Sequence, residues 1–178
     1  ENLPAAALAA REMGVCLLPG IEVTSSEEVH ILCYFPAVDP AVDFGRMIYD
    51  HLPPLPNNKR IFGNQMILGP EDEAQGELSK LLIQATDLSI VEIERRCTEA
   101  GGICVAAHIN RSSNSLLGNL GFLPEKPVFS ALEVYRGGKV DVKKILKGIV
   151  TNPLIISCAL GFIWLVSGLR FPQFVQTA

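Results

Sequence analysis

The chain has 178 residues, a formal net charge of −4 and a composition that is 48% hydrophobic and 19% charged. This length and apolar content allow a folded domain with a sizeable core, and they exclude an intrinsically disordered chain. The pI near 5.4 argues against the basic surface that sequence-independent nucleic-acid binding needs, so we expect no stable binding to nucleic acid.

The N-terminal part of the sequence predicts helices that alternate with short apolar strands. Residues 3–13 are alanine-rich, with Pro4 in the first turn and Gly14 directly behind, which predicts a helix. The apolar runs over residues 15–18 and 29–35 predict strands, the second of them buried on both faces. A further helix is predicted over residues 39–49, and a proline-rich loop over residues 51–58.

The C-terminal part predicts two further units of helix, glycine and strand. Residues 89–92 form a capping box that begins a helix, which Gly101 and Gly102 end before a strand over residues 103–107. A third unit has a helix over residues 140–147 and a strand over residues 154–157. This order predicts an α/β fold, either a β/α barrel or an open sheet. In a barrel the chemistry lies at the C-terminal ends of the strands.

Three polar residues, Glu22, His30 and His108, close or interrupt apolar runs. One carboxylate and two imidazoles are a ligand set for divalent Zn, Mn or Fe. Such an ion lowers the pKa of bound water and so makes hydrolysis possible near neutral pH. A histidine within an apolar strand can instead be a hydrogen-bonded structural residue, and for His30 alone this alternative stays open.

Two more residues are candidates for the same site. Arg111, three residues after His108, is placed to bind an anionic substrate, although a surface cation is the alternative. Glu133 stands among apolar neighbours and could face the site or lie exposed at an edge. His51, in the proline-rich loop, has no expected role, and the sequence identifies no catalytic base or nucleophile.

The five cysteines are odd in number and lack C-x-x-C spacing. Cys16, Cys33 and Cys104 lie within apolar runs. We expect buried free thiols, which indicate a reducing compartment and therefore a cytoplasmic protein.

Three motifs resemble those of the bacterial PHP (polymerase and histidinol phosphatase) metallophosphoesterases, most closely the small stand-alone type. They are Pro-Gly-Ile-Glu at residues 19–22, the run from Glu28 to Pro36, and Ala-Ala-His-Ile-Asn-Arg at residues 106–111. The resemblance covers residues 1–158. It implies a distorted seven-stranded, TIM-like β/α barrel with up to three metals at its rim.

The same resemblance implies roles for the three candidate ligands. Glu22 would bridge two metals, and His30 and His108 would complete one of them. The implied reaction is hydrolysis of a nucleotide or other small phosphate ester. A small phosphorylated substrate or a short oligonucleotide is therefore the expected partner.

The sequence also departs from the family. The opening His-x-His and the closing Ser-Asp-Ala-His are absent, and residues 159–162 stand in place of the latter. We therefore predict an incomplete barrel over residues 1–158, an unrelated apolar tail over residues 159–178, one weakly bound divalent ion and little turnover. The unpaired strand edges of such a barrel predict oligomerisation or aggregation.

Two alternatives to a phosphoesterase remain open from the sequence. One is a metal-binding fragment or regulatory relative without activity. The other is a membrane-anchored protein, because residues 148–169 contain no charged residue. Asn152 and Pro153 would interrupt a continuous helix there, so a membrane partner is the less favoured expectation.

Overall fold

Residues 1–135 of this computed structural model are described here, and they form a mixed α/β structure with two small sheets. The α-helices are α1 (Leu3–Glu12), α2 (Val38–Asp50), α3 (Lys59–Phe62) and α4 (Ile90–Glu99). The strands are β1 (Gly20–Thr24), β2 (His30–Tyr34), β3 (Met66–Leu68), β4 (Ala74–Glu77), β5 (Ile103–Ala106) and β6 (Ala131–Leu132). A π-helical turn spans Leu116–Leu120.

The main sheet has the strand order β1-β2-β5-β6 and is not a barrel. The pairs β1/β2 and β2/β5 are antiparallel, and only β5/β6 is parallel. The predicted TIM-like barrel is therefore wrong for the described part of the chain. The physical reason is visible at the β1–β2 connection, because residues 25–29 are far too few for the crossover of about a dozen residues that parallel strands need.

The two faces of the main sheet differ in burial. Side chains alternate along β2, so that Ile31 and Cys33 are fully buried while His30 and Leu32 on the other face are only partly buried. The prediction that this strand is buried on both faces is wrong. Helices α2 and α4 pack on the buried face through their own apolar residues, which include Phe44 and Ile48 of α2 and Ile93 and Cys97 of α4.

Most of the predicted elements before residue 108 are confirmed. The helices predicted over residues 3–13 and 39–49 are α1 and α2, and the capping box at Ser89 and Glu92 begins α4. The strand predicted over residues 15–18 is wrong, because β1 begins at Gly20. Gly20 lies opposite Tyr34, the last residue of β2, so the residues before Pro19 have no strand to pair with.

Several predictions fall outside the described residues. They are the helix over 140–147, the strand over 154–157, the boundary at residue 158 and the apolar tail. Among residues 1–135, no helix combines the length and the apolar character that crossing a bilayer requires.

Candidate metal centre

Glu22, His30 and His108, far apart in the sequence, come together at one end of the main sheet. Glu22 Oε1 lies 3.0 Å from His30 Nδ1 and 3.5 Å from His108 Nε2. His30 Nδ1 lies 3.2 Å from His108 Nε2. The two imidazole rings meet edge to face, with centroids 5.1 Å apart. Three ligand-type atoms thus converge on one point.

The β1–β2 hairpin places the first two of these side chains. Thr24 lies opposite His30, and Glu22 lies opposite Leu32, so Glu22 and His30 are diagonal neighbours on the same face. Diagonal neighbours are about 7–8 Å apart at Cα, a separation that long side chains span. Because β1 and β2 are antiparallel, the end of β1 and the start of β2 lie together. The site therefore depends on the hairpin rather than on the rim of a barrel.

His108 reaches the site because the backbone leaves the strand conformation. Ala106, two residues earlier, is buried in the core, and strict alternation would send the His108 side chain to that same face. Instead, His108 has a φ of 28°, in the left-handed region that non-glycine residues rarely adopt. Its ring consequently meets His30, on the opposite face from Ala106.

Glu133 and Asn110 hold this turn in place. One carboxylate oxygen of Glu133 accepts a hydrogen bond from the His108 amide at 2.8 Å, and the Glu133 carbonyl accepts one from Ile109. The Asn110 side chain accepts from the Tyr135 amide at 2.8 Å and donates to the Tyr135 carbonyl. Glu133 is exposed, which agrees with the alternative that its carboxylate lies exposed at an edge. Its carboxylate supports the backbone of His108.

The spacing of the three atoms fits one transition-metal ion. Nitrogen and oxygen ligands lie about 2.0–2.2 Å from zinc, so neighbouring ligands on a tetrahedral ion are about 3.3 Å apart. The three distances in the protein, 3.0, 3.2 and 3.5 Å, bracket that value. An octahedral ion with similar bond lengths would need about 3.0 Å, which also falls within this range. The geometry thus accommodates Zn, Mn or Fe without selecting among them.

The centre is open on one side. The side chain of Glu22 is 47% exposed and that of His30 is 24% exposed, whereas the His108 side chain is only 10% exposed. An ion held by these three residues would keep positions open to solvent or substrate. Three protein ligands with an open position are typical of catalytic zinc sites, including sites with a His₂Glu ligand set.

The buried side of His108 carries an unsatisfied atom. Its Nδ1 is enclosed and has no hydrogen-bond partner among residues 1–135. When Nε2 binds an ion, the proton of the neutral ring is on Nδ1. A buried donor without an acceptor costs about 1–3 kcal/mol, and metal-ligating histidines usually donate this proton to a second group.

The remaining sequence candidates lie near or outside this centre. Arg111 is exposed, and its guanidinium stands over the Tyr135 ring at 5.6 Å. Its amide donates to the His108 carbonyl at 2.9 Å, so the same turn carries both residues. His51 is paired with Asp87 at 2.7 Å and takes no part in the centre.

A second group of ligand-type side chains was not predicted from the sequence. Cys33, Cys97 and Cys104 have their sulfur atoms within 4.8 Å of one another, and all three are buried. The burial of Cys33 and Cys104 confirms the prediction, but Cys16 is exposed. Cys97 follows Ile93 by four residues and Ile90 by seven, which indicated a buried helix face, but nothing in the sequence located that face against the two strands.

Comparison of the chain with protein-family models, with curated proteins and with solved structures found no match.

Proposed function

We propose that the protein is a metal-dependent hydrolase of small phosphate esters, with Glu22, His30 and His108 as the ligands of one divalent ion. The observation that carries this proposal is the convergence of the three ligand atoms within 3.5 Å of one another. When bound, the ion supplies Lewis acidity, which lowers the pKa of water and neutralises phosphoryl oxygens. Manganese, zinc and iron are the ions that this ligand set favours.

The chain's own residues have three tasks in this proposal. The carboxylate of Glu22 contributes negative charge that holds a cation, and the two imidazoles contribute neutral nitrogen ligands. Glu133 keeps His108 in its strained conformation through the bond to its amide. Arg111 would bind the anionic group of the substrate, which is supported by its exposure and by its position in the same turn as His108.

A cavity beside Glu22 supports a small substrate. It has a volume of about 270 Å³ and is lined by polar residues, Tyr49, Gln84 and Thr86 among them, as well as by apolar ones. This volume lies just below the range of ordinary small-molecule sites. Of the three metal-centre residues, Glu22 lines the cavity, whereas His30 and His108 do not, so Glu22 is the link between the cavity and the centre in this proposal.

We expect slow turnover. Within the described part of the chain, the centre has three ligand-type side chains, which are enough to hold one ion, and the other such group is formed by cysteines in the core.

A cytoplasmic location belongs to this proposal, because the described cysteines are free thiols, which persist in reducing compartments.

The test is hydrolysis of small phosphomonoesters and a dinucleotide by metal-depleted protein to which Mn or Zn is returned. We expect hydrolysis above that of the free ion, and its loss in Glu22→Gln and His30→Ala. His51→Ala is the matched control, since His51 lies outside the centre, and it should keep the activity. An ion bound without hydrolysis of any ester would replace the proposal with a non-catalytic metal-binding protein. Equal hydrolysis after chelation would overturn it entirely.

A further inference from the structure

The cysteines on the buried face of the main sheet form a compact group with contributions from three elements. Cys33 of β2 and Cys104 of β5 are direct cross-strand partners, and Cys97 of α4 lies above them. The sulfur atoms of Cys33 and Cys104 are 3.7 Å apart. Each of these residues is at most 2% exposed.

The strand register explains why two of the sulfurs are so close. Ala107 donates to the His30 carbonyl at 3.1 Å, which marks that pair as hydrogen-bonded. Alternation along the antiparallel ladder then makes Cys33 and Cys104 a non-hydrogen-bonded pair, the type whose Cα atoms approach to about 4.5 Å. Their side chains are consequently directed into the same small volume of the core.

We infer that Cys33, Cys97 and Cys104 form a second metal site, specific for a soft ion of low coordination number such as Cu(I). Thiolate sulfur is the ligand that such ions prefer. At a metal–sulfur distance of about 2.3 Å, neighbouring sulfurs are about 3.8 Å apart on a tetrahedral ion and about 4.0 Å apart on a trigonal one. The separation of 3.7 Å between Cys33 and Cys104 is close to both values.

The surroundings of the group favour three-fold coordination over a zinc site. Structural zinc takes four protein ligands, whereas within residues 1–135 this group contains the three sulfurs and no fourth ligand-type side chain. The packing is tight as well. A Cβ atom at Gly102 would lie 2.7 Å from Cys97 Sγ and 2.7 Å from Phe35 Cε1. Low coordination in an enclosed, water-poor volume suits Cu(I) better than Zn.

Coordination as thiolates requires the three thiols to lose their protons. Hydrogen bonds from Cys104 and Cys33 lower the pKa of the Cys97 thiol. Hydrogen bonds to Cys104 and Cys97, together with burial, raise the pKa of Cys33. Thiols that coordinate as thiolates release their protons to solvent. Because the group is enclosed, an ion reaches it only when the structure opens locally, and uptake is slow.

The experiment uses the full chain with Cys16→Ser and Cys158→Ser, which leaves the three cysteines of the group as its thiols. The protein is loaded anaerobically with Cu(I) in competition with a chromogenic Cu(I) chelator, both in the folded state and during refolding. We expect one Cu(I) per chain, and X-ray absorption that shows three sulfur neighbours and no nitrogen. Loading should also raise the temperature midpoint of unfolding, since a ligand of the native state stabilises it.

Two cysteine variants in this background distinguish metal coordination by the thiols from a role in core packing alone. Cys97→Val removes the ligand and keeps an apolar side chain that is slightly larger, so the Cu(I) affinity of the folded variant should fall at least 100-fold. Cys104→Ala provides a second test of the same loss. His30→Ala with His108→Ala should keep full Cu(I) binding, which distinguishes this site from the proposed hydrolytic centre. Absence of Cu(I) after refolding, nitrogen neighbours, or undiminished affinity in Cys97→Val would overturn the inference.

Discussion

Two groups of ligand-type side chains lie on opposite faces of the main sheet and differ in almost every physical property. Glu22, His30 and His108 are hard or borderline ligands at the open end of the sheet, and Glu22 is 47% exposed. The cysteine group is soft and belongs to the core, at most 2% exposed. Side-chain alternation places them apart, since His30 and Cys33 point to opposite faces of β2.

From this difference we expect the two faces of the sheet to have separate roles. Glu22 and His30 on the open face are partly exposed, so their replacement should change ligand binding and leave the fold intact. Residues of the buried face contribute to the free energy of unfolding, so their replacement should change stability first. Variants of each face test that separation.

Truncation of the buried face should lower stability most. Ile93 of α4 is fully buried in the core, and Ile93→Ala should lower the free energy of unfolding by about 2–5 kcal/mol. Val91→Ala on the same helix is the matched control, because Val91 is 47% exposed, and its effect should stay within about 0.5 kcal/mol. Urea denaturation measures both. Equal effects would contradict the assignment of the buried face.

Removal of a ligand on the open face should abolish divalent-metal binding. His108→Ala removes one of the three ligand atoms, and we expect the affinity for Zn or Mn to fall more than about 100-fold. Even residues that only support a ligand contribute about 10–100-fold to metal affinity. Calorimetric titration measures the affinity. His51→Ala removes a histidine that pairs with Asp87 instead and should bind as the parent does. Unchanged affinity in both His108→Ala and His30→Ala would refute the site.

Loss of the hydrogen bond that holds the His108 backbone should lower the metal affinity less than loss of a ligand does. Glu133→Ala removes the acceptor of the His108 amide, and the affinity for the ion should fall about 10-fold. Glu133→Gln keeps a carbonyl oxygen that can accept this bond, so it should restore most of the affinity. If alanine and glutamine variants bind alike, the bond does not position His108.

The cap of α4 should affect stability alone. The hydroxyl of Ser89 accepts a hydrogen bond from the Glu92 amide, and the Glu92 carboxylate accepts one from the Ser89 amide. Ser89→Ala should therefore lower the free energy of unfolding by about 1 kcal/mol without a change in divalent-metal affinity. A marked loss of metal binding in this variant would show that the two faces are coupled.

The sequence allowed the local elements and the ligand types to be predicted, but not the way in which strands pair. Helices α1, α2 and α4 follow from caps, glycines and apolar spacing, all of which are local signals. The barrel prediction failed because the order helix, glycine, strand is compatible with antiparallel pairing as well. Only the short connection at residues 25–29 marks β1 and β2 as a hairpin.

The candidate site shows the same limit at the level of single residues. Glu22 and His30 could be nominated as polar residues in apolar runs, and the hairpin register explains why they meet. That His108 meets them depends on a left-handed φ at a non-glycine residue, which no sequence pattern signals. Two tertiary contacts could likewise not be predicted from the sequence, the bond from the His108 amide to Glu133 and the contact of Cys97 with Cys33 and Cys104.

The central claim is that Glu22, His30 and His108 hold one divalent ion, and a crystal structure of the protein grown with Mn or Zn tests it most directly. Anomalous diffraction locates the ion without reference to activity. We expect a single peak about 2.0–2.2 Å from Glu22 Oε1, His30 Nδ1 and His108 Nε2. Ordered protein at saturating metal with no peak among these three atoms would contradict it.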